Sequence, residues 1–159
     1  QKIDDMFDDI SKIDSIWTWG KNFKWNVYLP NQDEEAYAKK LGYNVLETIE
    51  PLTGFWARAN GNCTLKIHGD KYLTKNNGLQ KGWNLVGFNL NSTDSANSTL
   101  ENILKNTDKE IESLWTWEDN NWAVNIPLSD DNGKSYIEEN GFKSLKDIRA
   151  NKGYWVNCE

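Results

Sequence analysis

The residues of this chain best placed to do chemistry are tryptophans, and the chemistry they suit is stacking. Trp17 and Trp19 stand two residues apart with Trp25 close behind, and Trp115, Trp117 and Trp122 repeat the arrangement. Residues i and i+2 of a strand project from one face, so each Trp-Thr-Trp triplet sets two indoles side by side, and Trp25 or Trp122 extends the set. Flat aromatic faces suit the CH-rich faces of sugar rings. Trp19, Trp25, Trp117 and Trp122 are therefore the expected ligand-binding residues. The competing reading makes the same indoles core filler, each burying roughly 150 to 250 Å². Eight of the nine Trp recur as matched pairs, which favours core, because an architecture repeated twice needs the same filler twice. Trp19 and Trp117, beside turns, are the members expected to stay exposed.

Other candidate chemistry is thin. Asp130-Asp131-Asn132-Gly133 has the look of a calcium loop. Counting back from its glycine, however, places Leu128 at the first ligand position, so the EF-hand pattern fails and a turn with a helix cap is expected. Asp4, Asp5, Asp8 and Asp9 read as a solvated face near a helix start. His68 is the single histidine, and neither a nucleophile elbow nor a phosphate-cradling glycine loop accompanies it. A glycosidase would need two carboxylates paired in space, and nothing in the spacing favours one. The expectation is no catalysis, no metal and no cofactor.

Composition narrows the partners. A net charge of -6 without a Lys/Arg cluster argues against nucleic acid, whose phosphates need a basic surface, and against anionic membrane surfaces. Apolar runs are too short to cross a bilayer. Starting at Gln1, the chain reads as a processed piece of something longer. Cys63 and Cys158 are the only cysteines, each just after a Gly-aromatic-Trp strand. Two readings stay open: a bridge stapling the halves, worth roughly 4 kcal/mol for so long a loop in an exported chain, or two buried free thiols. Three Asn-x-Ser/Thr acceptor patterns, at Asn62, Asn91 and Asn97, are no more than an Asn-rich chain would produce by chance.

The elements that must position the indoles come twice, offset by about 98 residues. Ile3, Met6, Phe7 and Ile10 share a helical face, as do Leu100, Ile103 and Leu104, with Ser98 and Glu101 forming a capping box. Residues 15–19 with 24–29, and 113–118 with 121–126, predict hairpins turned by Gly20-Lys21-Asn22 and Asp119-Asn120. Pro30 and Pro127 end them. A second helix follows each hairpin: Asn31 and Glu34 supply a cap and a first-turn carboxylate, Gly42 and Gly141 a left-handed stop, and Tyr43 and Phe142 the apolar residue beyond. Gly54-Phe55-Trp56 and Gly153-Tyr154-Trp155 then open closing strands. Residues 64–68 predict an alternating strand, residues 83–88 a buried one, and residues 91–99 an ordered crossover loop. The expected fold is α+β: two pseudo-symmetric copies of a strand-helix-hairpin-helix-strand unit, residues 1–68 and 83–159 joined by a connector over 69–82. The copies pack into one body with mainly antiparallel sheets. Copy one lacks the leading Trp83-type strand, and copy two the trailing Leu65-type strand, so the cut falls out of phase with the repeat.

The strings Gly82-Trp83-Asn84-Leu85-Val86-Gly87 and Gly153-Tyr154-Trp155-Val156, with the Trp-x-Trp hairpin between them, resemble a Trp-rich repeat of bacterial secreted and cell-surface proteins. The resemblance covers nearly the whole chain, and Arg58 departs from its usual small or apolar ending. It implies an exported, non-enzymatic module beside adhesin, receptor or hydrolase domains, with no catalytic residues to carry over. The expected function is extracellular binding or adhesion to a glycan or protein surface. A structural spacer or the external sensing domain of a receptor are the alternatives.

Overall fold

The computed structural model describes residues 1–30, 33–69, 78–88, 94–95, 102 and 109–159. The fold is α+β. The chain divides into two compact units, Gln1–Tyr72 and Leu73–Glu159, each with its own sheet and its own core.

Unit one opens with a single 3-10 turn, Ile3–Asp5, where the sequence suggested a longer amphipathic helix. Like charges at i and i+4, Asp4 with Asp8 and Asp5 with Asp9, oppose a second turn. The Asp9 carboxylate also accepts the Ser11 amide at 2.9 Å, an alternative to helical bonding. Ile3, Met6 and Phe7 are buried all the same. Strands β1 (Ile13–Trp19) and β2 (Trp25–Tyr28) form the hairpin, with Trp19 opposite Trp25. Asp33 caps α1 (Glu34–Leu41), its carboxylate accepting Ala36 N at 3.0 Å; Asn31, the expected cap, lies outside the described residues. Gly42 ends the helix at φ 74°, a conformation that carries no Cβ penalty only for glycine. Short β3 (Asn44–Val45) lies parallel to β2, and β4 (Trp56–Ala59) antiparallel to β1, for an order β3-β2-β1-β4. The strand expected over residues 64–68 reduces to one bridge, Ile67 to Phe7.

Unit two holds a five-stranded sheet and a separate two-stranded one. β5 (Gly82–Gly87) pairs with the closing strand β11 (Gly153–Cys158), which pairs with β7 (Ile111–Glu118), β8 (Asn121–Asn125) and short parallel β9 (Lys143–Ser144) in turn. β6 (Asp94–Ser95) pairs with β10 (Asp147–Ile148). The expected helix over residues 100–104 and its capping box lie outside the described residues, apart from Asn102. Helix α2 (Lys134–Glu139) precedes β9. Asp119 and Asn120 turn the second hairpin at φ 47° and 58°, left-handed values that short polar side chains tolerate and that match the twist of flanking strands.

Two expectations change. The large sheets are mixed, because the helix following each hairpin carries the chain back far enough for its next strand to lie parallel. β5 stands at a sheet edge, so Trp83 is 42% exposed although Leu85 and Val86 are buried.

Each core is mainly aliphatic. Ile3, Met6, Phe7, Ile13, Ile16, Leu46 and Ile49 cluster in unit one, and Val27, Leu29 and Ala38 form a second cluster under α1. Unit two gathers Leu114, Ile148, Tyr154 and Val156 with Cys158. The cysteines are free, so the staple is not formed. Cys158 is enclosed on β11, and burial, aided by the charge of Glu112, pushes its thiol up to about 11. Cys63 is exposed. A maleimide is therefore expected to label one thiol per native chain at neutral pH, at Cys63, with Cys158 reacting only after unfolding. Mass mapping of the labelled peptides checks this, and prompt native labelling at Cys158 would contradict the buried placement.

Candidate aromatic binding face

None of the nine tryptophans is fully buried; Trp83 and Trp117 are exposed and the rest half-buried. Trp17 packs against buried Val27, Leu29 and Ala38, and Trp19, expected to stay exposed, is half-buried. Strand alternation explains the outcome. In β7, Leu114 and Thr116 face the aliphatic core, so Ser113, Trp115 and Trp117 face the other way. Register extends the second face across the sheet. Trp155 lies opposite Trp115, Trp122 opposite Trp117, and Trp83 opposite Asn157, two residues beyond Trp155.

The rings on this face meet edge to face. Trp115 is the hub, with ring centroids 5.4 Å from Phe142, 6.1 Å from Trp122, 6.4 Å from Tyr136 and 6.5 Å from Trp83. Its indole N–H donates to Ser113 Oγ at 2.9 Å, satisfying the one polar atom that a half-buried Trp must place. Trp117 and Trp122 sit 5.3 Å apart at 77°, and Trp83 stands 6.1 Å from Trp155 at 86°. Perpendicular neighbours cannot form one flat platform. Each pair turns a ring face toward a ring edge, which the aromatic quadrupole favours.

Unit one carries matching geometry. Trp17 lies 5.3 Å from Tyr43 and 6.1 Å from Trp25, and Trp19 lies 5.1 Å from Trp25 at 74°. Trp17 donates to Ser15 Oγ at 2.8 Å. The four tryptophans expected at the site thus fall into two close pairs, one at each hairpin end. Sequence reasoning missed Trp83, Trp155, Tyr136 and Phe142. The alternation Trp83-Asn84-Leu85 carried the signal for Trp83, and the pairing of Phe142 with Tyr43 the signal for Phe142.

Polar groups rim the second hairpin end. Lys152 Nζ lies 2.8 Å from Glu118 Oε2, and Lys143 Nζ 3.1 Å from Asp119 Oδ2. The hydrogen bond from Lys143 holds the Asp119 carboxyl below its usual range. An open cleft of about 580 Å³ is lined by Phe142 with Asn125, Asp131, Lys134, Glu138 and Lys146 among others. Its size suits a small ligand, while its mixed charges favour no single class.

The expected turn and cap at residues 130–133 are present. Asp131 accepts Ser135 Oγ at 2.6 Å, Ser135 N at 2.8 Å and Gly133 N at 2.9 Å. The Ser135 hydroxyl leads these bonds in lowering the Asp131 carboxyl to about 2. A depressed carboxyl stabilises the fold above its unfolded value and stops doing so as pH falls through the folded one. Asp131→Ala should therefore lower the melting temperature at neutral pH, and the gap to wild type should close between about pH 4 and pH 2. A gap that persists at low pH would show that the carboxylate charge does not carry the cap. His68 is not part of this face. Its Nε2 meets the Asp8 carboxylate, and its backbone N–H donates to Met6 O at 2.8 Å, tying residues 66–68 to the N-terminal segment. Among the described residues no group of His, Cys, Asp and Glu has a metal-holding arrangement, and no helix is long and apolar enough to cross a membrane.

No protein-family model, curated protein or solved structure matches this chain.

Proposed function

We propose that this chain is a non-catalytic binding module of an extracellular or cell-surface protein, and that it grips a glycan through tryptophans at the ends of its two hairpins. The two units are read as copies of one repeated fold, on the strength of their matched registers and ring contacts. The observation that carries the binding reading is Trp117. It is 44% exposed, held edge to face by Trp122 and rimmed by Glu118 and Asp119 with their lysines. An indole fixed by its neighbour loses little freedom on binding. The polar rim offers hydrogen-bond partners to sugar hydroxyls.

Near-perpendicular pairs favour one kind of recognition: one ring face per hairpin end, stacking on a single sugar ring. Such sites are individually weak, and two in one chain gain by avidity on a repetitive glycan. A glycan array with folded protein tests the reading. Hits that survive in wild type and disappear in both Trp19→Ala and Trp117→Ala support it, and a clean negative overturns it. Fluorescence supplies a second check. Trp117→Ala should remove a red-shifted component that acrylamide quenches, and unchanged quenching would place that indole out of solvent's reach.

Protein contact is a second reading, favoured by Ala57, Arg58 and Ala59, which stand exposed on β4.

A further inference from the structure

Asparagine precedes glycine at Asn60, Asn77, Asn132 and Asn140. The pairing matters chemically because a main-chain nitrogen can attack the side-chain amide before it, and glycine lacks the Cβ that hinders the approach. The attacking nitrogen must first lose its proton. A glycine amide that donates a hydrogen bond is therefore withheld until the chain opens locally. Asn77 lies outside the described residues.

The fold treats the other three differently. Gly133 is buried, and its amide donates to Asp131 Oδ1 at 2.9 Å inside the helix cap. The Gly141 amide donates to Glu138 O at 3.2 Å at the end of α2, while Asn140 Nδ2 donates to Tyr136 O at 2.9 Å. Gly61 stands just past β4 instead. Asn60 N donates to Lys12 O at 2.9 Å beside the paired residues Ile13 and Ala59, but the Gly61 amide has no hydrogen-bond acceptor among the described residues. Asn60 and Gly61 are both exposed, and the Asn60 side chain is held at the surface, Nδ2 donating to Asp14 Oδ1 at 3.2 Å. Lys12 Nζ donates to Asn62 O at 3.2 Å, which puts an ammonium beside the turn, where it favours a deprotonated amide.

We propose that Asn60 is a modification site, converted by water to aspartate and isoaspartate through a cyclic imide with Gly61, whereas the fold protects Asn132 and Asn140. The Gly61 nitrogen passes its proton to solvent base and bonds to Asn60 Cγ. The Cγ–Nδ2 bond then breaks, and Nδ2 leaves as ammonia. Water adds next at either imide carbonyl: cleavage at Cγ yields aspartate, and cleavage at the main-chain carbonyl yields isoaspartate, whose main chain runs through the former side chain. Water is the sole co-reactant.

Both products lose the Nδ2 donor and add a carboxylate near Asp14, whose ionic partner is Arg58 at 3.7 Å. Isoaspartate also lengthens the main chain between β4 and the segment that the His68 N–H and the Ile67 bridge tie to Met6 and Phe7. Asn60 lies at the start of β1, the end away from the hairpin turn, so this chemistry is separate from the glycan reading.

The test incubates the folded full-length chain in mildly alkaline buffer, with peptides resolved over time by liquid chromatography and mass spectrometry. Asn60 is expected to convert at least about tenfold faster than Asn132 or Asn140, giving aspartate and isoaspartate together. In urea the three rates should draw together, because every glycine amide is then free. Gly61→Ala is the second arm. No atom lies within 4 Å of a Cβ placed there, and Gly61 does not use a positive φ, so the variant should keep the wild-type circular dichroism spectrum. It should lose at least about nine-tenths of the Asn60 conversion. Equal native rates at the three sites, a native ranking that urea leaves unchanged, or undiminished conversion in Gly61→Ala would each overturn the proposal.

Discussion

Trp115→Ala is expected to lower the stability of unit two by about 3 kcal/mol, whereas Trp117→Ala should cost less than about 1 kcal/mol. The two residues sit two apart on one strand and one face, so helix, strand or hydropathy arguments treat them alike. Their neighbourhoods separate them. Trp115 touches Trp83, Trp122, Tyr136 and Phe142 and holds Ser113 by its indole N–H. Removing it strips several edge-to-face contacts at once, each worth about 0.5 to 1.5 kcal/mol beyond area, and opens a gap above buried Val124, which lies opposite it. Trp117 has Trp122 as its ring partner and leaves 44% of its surface in solvent. Urea unfolding of both variants, followed by near-ultraviolet circular dichroism, measures the difference. Equal and small losses would mean the hub is not structural. A large loss at Trp117 would mean its exposed ring is no free binding element.

Leu114→Ala and Ile16→Ala are each expected to cost about 3 kcal/mol, within the usual 2 to 5 for deleting a buried aliphatic side chain. Both residues are 0% exposed, one at the centre of each unit's sheet. Val156 lies opposite Leu114 across β11, and Ala57 opposite Ile16 across β4. The clusters they join draw on separate units, Leu114 with Ile148, Tyr154 and Val156, and Ile16 with Ile3, Ile13 and Leu46. Hydrogen exchange should therefore show Leu114→Ala speeding amides of β7, β8 and β11, and Ile16→Ala those of β1, β2 and β4. A cavity effect spread evenly over the chain from either substitution would show the two cores acting as one.

Much of this was legible in local patterns. Trp-Thr-Trp alternation told which indoles share a face, the glycines at 42 and 141 marked left-handed stops, and Asp119-Asn120 marked a tight turn; each is set by backbone sterics within a few residues. The N-terminal segment misled because its apolar spacing fits a helix, while repulsion among its aspartates and the bridge from Phe7 to Ile67 hold it otherwise. Both cysteines follow a Gly-aromatic-Trp string, yet one is exposed and the other enclosed. Cys158 ends β11, which lies between β5 and β7, whereas Cys63 lies past the end of β4.

By itself, the order of residues determined the hairpins, the helix stops and which hairpin indoles share a face, because these depend on neighbours along the chain. Tertiary structure alone decided how deep each indole sits, which strand became an edge and which thiol was sealed. Those outcomes depend on segments far apart in sequence arriving to cover, or to leave open, a surface that local pattern can only orient.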